Sequence, residues 1–228
     1  MNILDFLFPK HCVGCGRLGQ YICASCRRSI RPIAVNESIC PVCEKLAIDG
    51  MTHPRCRSRY SLDGLTVFFH YDGVTRKAIK SLKYRHVSDL VTEFASVIPS
   101  TYLSHTQKLI SSQYVMFIPI PLHISRMRER GYNQAEVLGR LVAQPLHVPM
   151  HTDILYRTRE TAPQVATKSR EERLHNMNGV FGLVSKSVKG ATVVLFDDVF
   201  TTGATMRSAA NVLKRKGAKR VWAVTMAR

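Results

Sequence analysis

No apolar run in this 228-residue chain approaches the length needed to cross a bilayer. Residues 1–10 hold only a short apolar cluster (Ile3, Leu4, Phe6, Leu7, Phe8). Asp5 interrupts it, and neither a basic n-region nor a cleavage site accompanies it, so it does not read as a signal peptide. The expectation is a cytoplasmic protein without membrane insertion. Two common nucleotide signatures, G-x-x-x-x-G-K-[ST] and G-x-G-x-x-G, are missing, which argues against a P-loop enzyme and a dinucleotide-binding dehydrogenase. No Ser-His-Asp or Cys-His arrangement suggests nucleophilic hydrolysis. Acidic residues are scarce: 16 Asp and Glu face 33 Lys and Arg, a net charge of +17 spread along the chain. Such an excess attracts nucleic acid, phosphorylated substrates or acidic membrane surfaces. The apolar fraction of 45% is ordinary, so a real core is available.

Cysteine is missing beyond residue 56. All seven cysteines fall as Cys12-x-x-Cys15, Cys23-x-x-Cys26, Cys40-x-x-Cys43 and a lone Cys56. An odd number confined to one end of a cytoplasmic chain argues against a disulfide framework. C-x-x-C places two thiolates on one tight turn, and two such turns complete a tetrahedral zinc shell. Cys12, Cys15, Cys23 and Cys26 supply one whole site. The third pair needs partners, and His53-Pro54-Arg55-Cys56 offers an H-x-x-C where a fourth C-x-x-C would stand. Two structural zinc ribbons are therefore expected, the second held by Cys40, Cys43, His53 and Cys56. An interleaved shell, a degenerate second site, or His11 as an occasional ligand are the alternatives. A redox role is open to any one C-x-x-C pair but ill suited to three in tandem. About sixty residues bury too little surface to be secure alone, so zinc decides whether the segment folds. The expected division is residues 1–60 as a double zinc ribbon and 61–228 as an α/β domain.

The rest of the chain is organised around residues 192–205. Thr192, Val193, Val194, Leu195 and Phe196 read as a strand buried on both faces, as in a parallel sheet. Asp197 and Asp198 then open a polar loop. From Ala204 onward, Met206, Ala209, Ala210 and Leu213 recur at helical spacing, and the helix ends at Gly217 after three cations. A helix start leaves free N–H groups that bind phosphate, with hydroxyls of Thr201, Thr202 and Thr205 beside them. Gly203 lets the backbone come close. Asp197 and Asp198 would face whatever the phosphate is attached to, and carboxylates accept hydrogen bonds from vicinal sugar hydroxyls. A sugar phosphate is the ligand this pattern suits. The plain alternative is a capped helix after a strand.

Elsewhere, residues 65–71 read as a strand. Residues 74–85 read as a helix with Val74, Ala78, Ile79 and Leu82 on one face. Arg76, Lys77, Lys80, Lys83 and Arg85 occupy the others, either a solvated face or an anion track for nucleic acid. A helix over 88–97 precedes a polar stretch, 99–113, expected to be a surface loop. A strand over 114–118 ends at Pro119 and Pro121, which stop it and stiffen the turn. Arg126 and Arg130 lie in a turn whose guanidinium groups suit pyrophosphate, ahead of a helix burying Ala135, Leu138 and Leu141. Residues 157–173 are long, polar and basic, as lids often are. Short strands are expected over 179–184 and 220–226. The histidines other than His53 and His11 show no evident partner.

The segment Val193–Thr205 resembles the 5-phosphoribosyl-1-pyrophosphate (PRPP) loop of type I phosphoribosyltransferases. That resemblance implies that Asp197 and Asp198 hold the ribose hydroxyls while Thr201, Thr202, Gly203, Ala204 and Thr205 hold the 5-phosphate. The tandem C-x-x-C module, P-x-P-L-H, R-E-R-G-Y-N-Q-A and D-D-V-x-T-T-G-A-T, in this order, are similar to the ComF (competence protein F) family, over nearly the whole chain. His53 departs from it, standing where members usually carry cysteine. The resemblance implies a parallel sheet of type I phosphoribosyltransferase kind flanked by helices. It places the pyrophosphate loop at 119–123, with Pro121 and Leu122, and the lid at 157–173. It also implies PRPP with Mg²⁺ as substrate and cofactor, and a role in natural transformation, where single-stranded DNA and competence-machinery proteins are partners. The alternative is a nucleotide-sensing or DNA-binding platform without catalysis. Nothing in the residues names an acceptor.

Overall fold

The computed structural model describes residues 9–84, 88–159, 179–184 and 188–228. Beyond the amino-terminal knuckles and the short helix α1 (Ala24–Arg28), the chain runs β1 (Gly64–Phe69), α2 (Gly73–Tyr84), α3 (Ser88–Ala95), α4 (Ser100–Ile110) and β2 (Val115–Pro119). It continues through α5 (Ile124–Arg130), α6 (Gln134–Leu146), β3 (Leu155–Arg157), β4 (Phe181–Leu183), β5 (Thr192–Val199), α7 (Ala204–Arg215) and β6 (Arg220–Ala227).

Four strands form a parallel sheet in the order β1-β6-β5-β2. A parallel sheet needs crossover helices, which cover both faces and demand apolar side chains on both. Val193, Val194, Leu195 and Phe196 are accordingly fully buried, as are Val221, Trp222, Ala223 and Val224. On one face Phe117, Val194, Phe196 and Trp222 pack with Ile79 of α2, Phe94 of α3, Ile110 of α4 and Leu138 of α6. On the other, Met116, Ile118, Val193 and Leu195 pack with Met206, Ala209, Ala210 and Leu213 of α7. The carboxyl ends of β5 and β2 lie side by side, Phe196 pairing with Pro119. In open α/β sheets ligands bind outside such strand ends.

The zinc-ribbon segment docks on this sheet. Cys12, Ile22, Cys26 and Ile30 share a buried cluster with Phe69, Val74 and Ala78, while Ile33 and Ile39 join Leu62, Leu65 and Val67. The Ile33 N–H donates to the Phe68 carbonyl at 2.9 Å, and the His70 N–H to the Arg31 carbonyl at 3.0 Å. Part of the exposed edge of β1 is thereby covered.

Several expectations need correction. Residues 99–113 are mostly helix α4, not a loop. Its inward side carries Thr106, whose hydroxyl donates to the Tyr102 carbonyl at 2.7 Å, and Tyr102 itself donates to the Ile33 carbonyl at 2.5 Å. Side chains that look polar in sequence thus form the packed stripe. β5 runs past Phe196 to Val199, with Asp197 opposite Thr225, because β6 is long enough to keep pairing with its backbone. Residues 124–130 are a helical turn that ends at Gly131 in the left-handed conformation. Leu141 is half-buried, whereas Ala135 and Leu138 are buried. Two histidines have acidic partners: His70 lies 3.3 Å from Glu37 and His105 lies 3.1 Å from Asp49. Of the expected lid, 160–173 lies outside the described residues, as do Arg85 and the side chain of Lys83. Arg157, where the expected lid begins, is instead the last residue of β3 and pairs antiparallel with Phe181.

Candidate active site and metal centres

The carboxyl end of β5 and the start of α7 build the site. Asp197, Asp198 and Val199 are half-buried at the sheet margin, and the Asp198 N–H donates to the Asp197 carboxylate at 2.9 Å. Phe200 is buried, its N–H bonded to the Ala227 carbonyl at 2.8 Å, so the chain leaves the sheet only after that residue. Thr201 is exposed, Thr202 and Thr205 are half-buried, and Gly203 turns the backbone into the helix at φ +68°. A Cβ on Gly203 would stand 2.5 Å from the Phe200 ring, so the glycine is required by the turn and its packing. Gly203, the residue that precedes α7, has no side chain with which to cap the first turn. The Thr202 hydroxyl is buried without a hydrogen-bond partner among the described residues. A helix start with an unsatisfied buried hydroxyl beside it suits an anion.

The neighbouring strand supplies the opposite wall. After β2, the Ile120 N–H donates to the Phe196 carbonyl at 2.8 Å, which keeps the turn carrying Pro121 and Leu122 beside the β5 end. His123 caps α5, accepting from the Ser125 N–H at 3.3 Å. Arg126 is half-buried on α5, and Arg130 donates to the Gln134 side chain at 3.1 Å. The residues that follow act as anchors. The Tyr132 hydroxyl donates to the Leu82 carbonyl at the end of α2, and burial pushes its phenol above the ordinary range. Asn133 caps α6 by accepting from the Ala135 N–H at 3.1 Å. An Asn just ahead of an apolar-periodic run is a helix-start signal that sequence reasoning had available.

Both metal shells form as expected. The ligand atoms of Cys12, Cys15, Cys23 and Cys26 lie within 4.8 Å of one another, and so do those of Cys40, Cys43, His53 and Cys56. His11 belongs to neither group; its Nδ1 lies 2.8 Å from the Pro9 carbonyl. In the second shell the His53 Nε2–H donates to the Leu46 carbonyl at 2.9 Å, leaving Nδ1, 3.3 Å from the Cys43 sulfur, free to ligate. Burial pushes Cys12 up, but N–H groups of Cys23, Cys15 and Gly14 outweigh it and hold the thiol at about 6. Burial and neighbouring sulfurs push Cys26 up to about 12 and Cys56 to about 11. Four thiolates in the first group, and three thiolates with one imidazole in the second, would suit Zn²⁺ held for structure.

One knuckle of each metal shell is held from the α/β domain by a basic side chain. Lys77 of α2 donates to the Gly14 carbonyl at 2.7 Å, inside Cys12-x-x-Cys15. Arg207 of α7 donates to the Val42 carbonyl at 3.3 Å, inside Cys40-x-x-Cys43. Gly14 and Val42 occupy equivalent knuckle positions. Neither tie was legible in sequence, because nothing local links residues so far apart. Of the basic helix face, Arg76 and Lys80 are exposed beside Lys77.

A double zinc ribbon domain model matches residues 3–57 and a phosphoribosyl transferase domain model matches residues 133–228. The chain is 29% identical over 208 residues to competence protein ComFC of Bacillus subtilis (strain 168), covering 87% of this chain and 80% of that protein. It is 29% identical over 208 residues to the DNA utilization protein YhgH of Escherichia coli O157:H7, covering 90% of this chain and 89% of that protein. It is also 34% identical over 114 residues to competence protein F of Haemophilus influenzae, covering 48% and 49%. Among the described residues no helix is long and apolar enough to cross a membrane.

Proposed function

We propose that this chain is a ComF-family protein that binds Mg-PRPP and transfers the ribosyl group to a nitrogen acceptor while handling incoming single-stranded DNA in the cytoplasm. The observation that carries this reading is the run from Asp197 to Thr205, two carboxylates at the half-buried end of a core strand followed by a glycine turn into a helix start. In this reading the amides of the 201–205 turn and the hydroxyls of Thr201, Thr202 and Thr205 bind the 5-phosphate. Asp197 and Asp198 accept hydrogen bonds from the ribose hydroxyls and orient the ring. Their negative charge favours the positive character that C1 gains as its bond to pyrophosphate breaks and a bond to nitrogen forms. Pro121 and Leu122 border the pyrophosphate, with Arg126 and Arg130 as its cations. Mg²⁺, when bound with the substrate, supplies neutralisation of the departing pyrophosphate charge.

The test is calorimetric titration with Mg-PRPP, followed by a pyrophosphate-release assay over a panel of bases and amines. Binding with acceptor-dependent release supports the enzyme. Failure to bind Mg-PRPP removes the reading. A second reading, binding without turnover, is favoured by the +17 charge and by the exposed cations Arg76 and Lys80. In it the domain senses a ribosyl phosphate and the basic face contacts the DNA backbone, in keeping with relatives named for competence and DNA utilization. Binding of Mg-PRPP with no release over the whole panel would select it.

A further inference from the structure

Arg207 joins the phosphate-binding turn to the second metal knuckle. It lies in the first turn of α7, half-buried, with its N–H on the Gly203 carbonyl at 2.8 Å. One guanidinium nitrogen, Nη2, donates to the Thr202 carbonyl at 2.6 Å; the other, Nη1, donates to the Val42 carbonyl at 3.3 Å. The guanidinium is a rigid planar fork, so its two terminal nitrogens cannot move independently. Thr202 is the residue whose hydroxyl is buried without a partner among the described residues. Val42 lies between two residues of the second ligand group, Cys40 and Cys43, so a metal drawing that knuckle closed would fix where its carbonyl points.

From this geometry we infer that Arg207 is a positioning residue coupling the Cys40/Cys43/His53/Cys56 centre to the 5-phosphate turn, so that metal occupancy there sets the affinity of the turn for its ligand. The inference rests on the PRPP reading above. Metal at this centre fixes Val42, Val42 fixes the guanidinium, and the guanidinium holds the Thr202 carbonyl so that the turn presents its amides and hydroxyl together. The first centre provides an internal contrast. Its knuckle is tied by Lys77 to α2, away from the phosphate turn. Loss of the second metal should therefore weaken phosphate binding, and loss of the first should do so far less. Coupling between two binding sites is reciprocal, so a bound ligand must also protect the metal.

The experiment uses the full zinc-loaded chain and a colorimetric chelator, with and without saturating Mg-PRPP. Expected is a release rate for one of the two zinc ions slowed by about tenfold in the wild type, a typical coupling. Arg207→Ala should lose that protection and bind Mg-PRPP about tenfold more weakly. Arg207→Lys should retain part of both effects. Lys77→Ala should leave the protection intact. If Arg207→Ala does not fold, the wild-type rates with and without ligand decide alone. Mg-PRPP binding that protects neither zinc, or equal protection in Arg207→Ala, overturns the coupling and leaves the substrate reading standing. No binding of Mg-PRPP to the wild type overturns both.

Discussion

The side-chain amide of Asn133 donates to the Ile120 carbonyl at 2.9 Å, so the start of α6 is fastened to the turn leaving β2. The same side chain caps the helix through its oxygen. One residue thus fixes the wall opposite the phosphate turn. Asn133→Ala should lose both bonds and cost about 1–2 kcal/mol in urea unfolding, as lost caps do. Asn133→Asp keeps the capping oxygen but loses the donor. It should recover only the share due to the cap, because a carboxylate oxygen then faces the Ile120 carbonyl, and it should still weaken Mg-PRPP binding. Equal ligand affinity in wild type and Asn133→Asp would show that the Ile120 tie is irrelevant to the site.

Asp197→Asn with Asp198→Asn should abolish detectable Mg-PRPP binding by calorimetry. The carboxylates sit at the strand margin, half-buried and away from the apolar core. The fold should survive, with a thermal midpoint within a few degrees of wild type. Unchanged affinity in the double variant would remove the sugar-phosphate assignment.

Gly203→Ala meets two penalties, a left-handed backbone and a Cβ 2.5 Å from the Phe200 ring. Left-handed backbone alone costs about 1–2 kcal/mol. Combining it with Phe200→Leu should relieve the clash and leave the backbone cost. Urea unfolding of the single and double variants checks this, with the double variant expected to regain part of the loss contributed by the ring. No recovery would mean that the ring yields without cost.

Purified chain should carry two zinc ions, measured by elemental analysis. His53→Cys should keep both, since thiolate replaces imidazole in the same shell. His53→Ala should lose the second. Stripping both should expose Cys12, Ile22, Cys26 and Ile30, which otherwise share the core with Phe69 and Val74. Hydrogen exchange should then rise over residues 9–57 ahead of the sheet. A single zinc in the wild type would demote the His53 centre.

Affinity for single-stranded DNA should fall steeply with salt, with a log–log slope near −0.7 per phosphate neutralised. Arg76→Ala with Lys80→Ala should reduce that slope. Lys77 is left in place because it holds the first knuckle, and its removal would mix metal effects with charge effects. A slope unchanged in the double variant would move the DNA surface elsewhere.

How much of this was legible depends on the range of the forces involved. β5 was readable because a strand buried on both faces must be apolar throughout, and α7 because Met206, Ala209, Ala210 and Leu213 repeat at helical spacing. The thiol pairs were readable because C-x-x-C sets ligand geometry within one turn. Helix α4 was not, because Thr106 and Tyr102 satisfy their hydroxyls inside the fold and so pack like apolar residues. The end of β5 was misplaced for a related reason. Asp197 looks like loop, yet its backbone is paired by β6, and pairing is indifferent to the side chain.

Local pattern, then, determined the two ligand clusters, the glycine turn into α7 and the alternation of strand and helix, since each is encoded within a few neighbouring residues. Tertiary structure alone decided which carbonyls the long basic side chains reach. Arg207 and Val42 are 165 residues apart in the chain, and Lys77 and Gly14 are 63. Only folding around a shared core brings such partners within hydrogen-bond distance, because an arginine or lysine specifies a donor but never which distant acceptor will meet it.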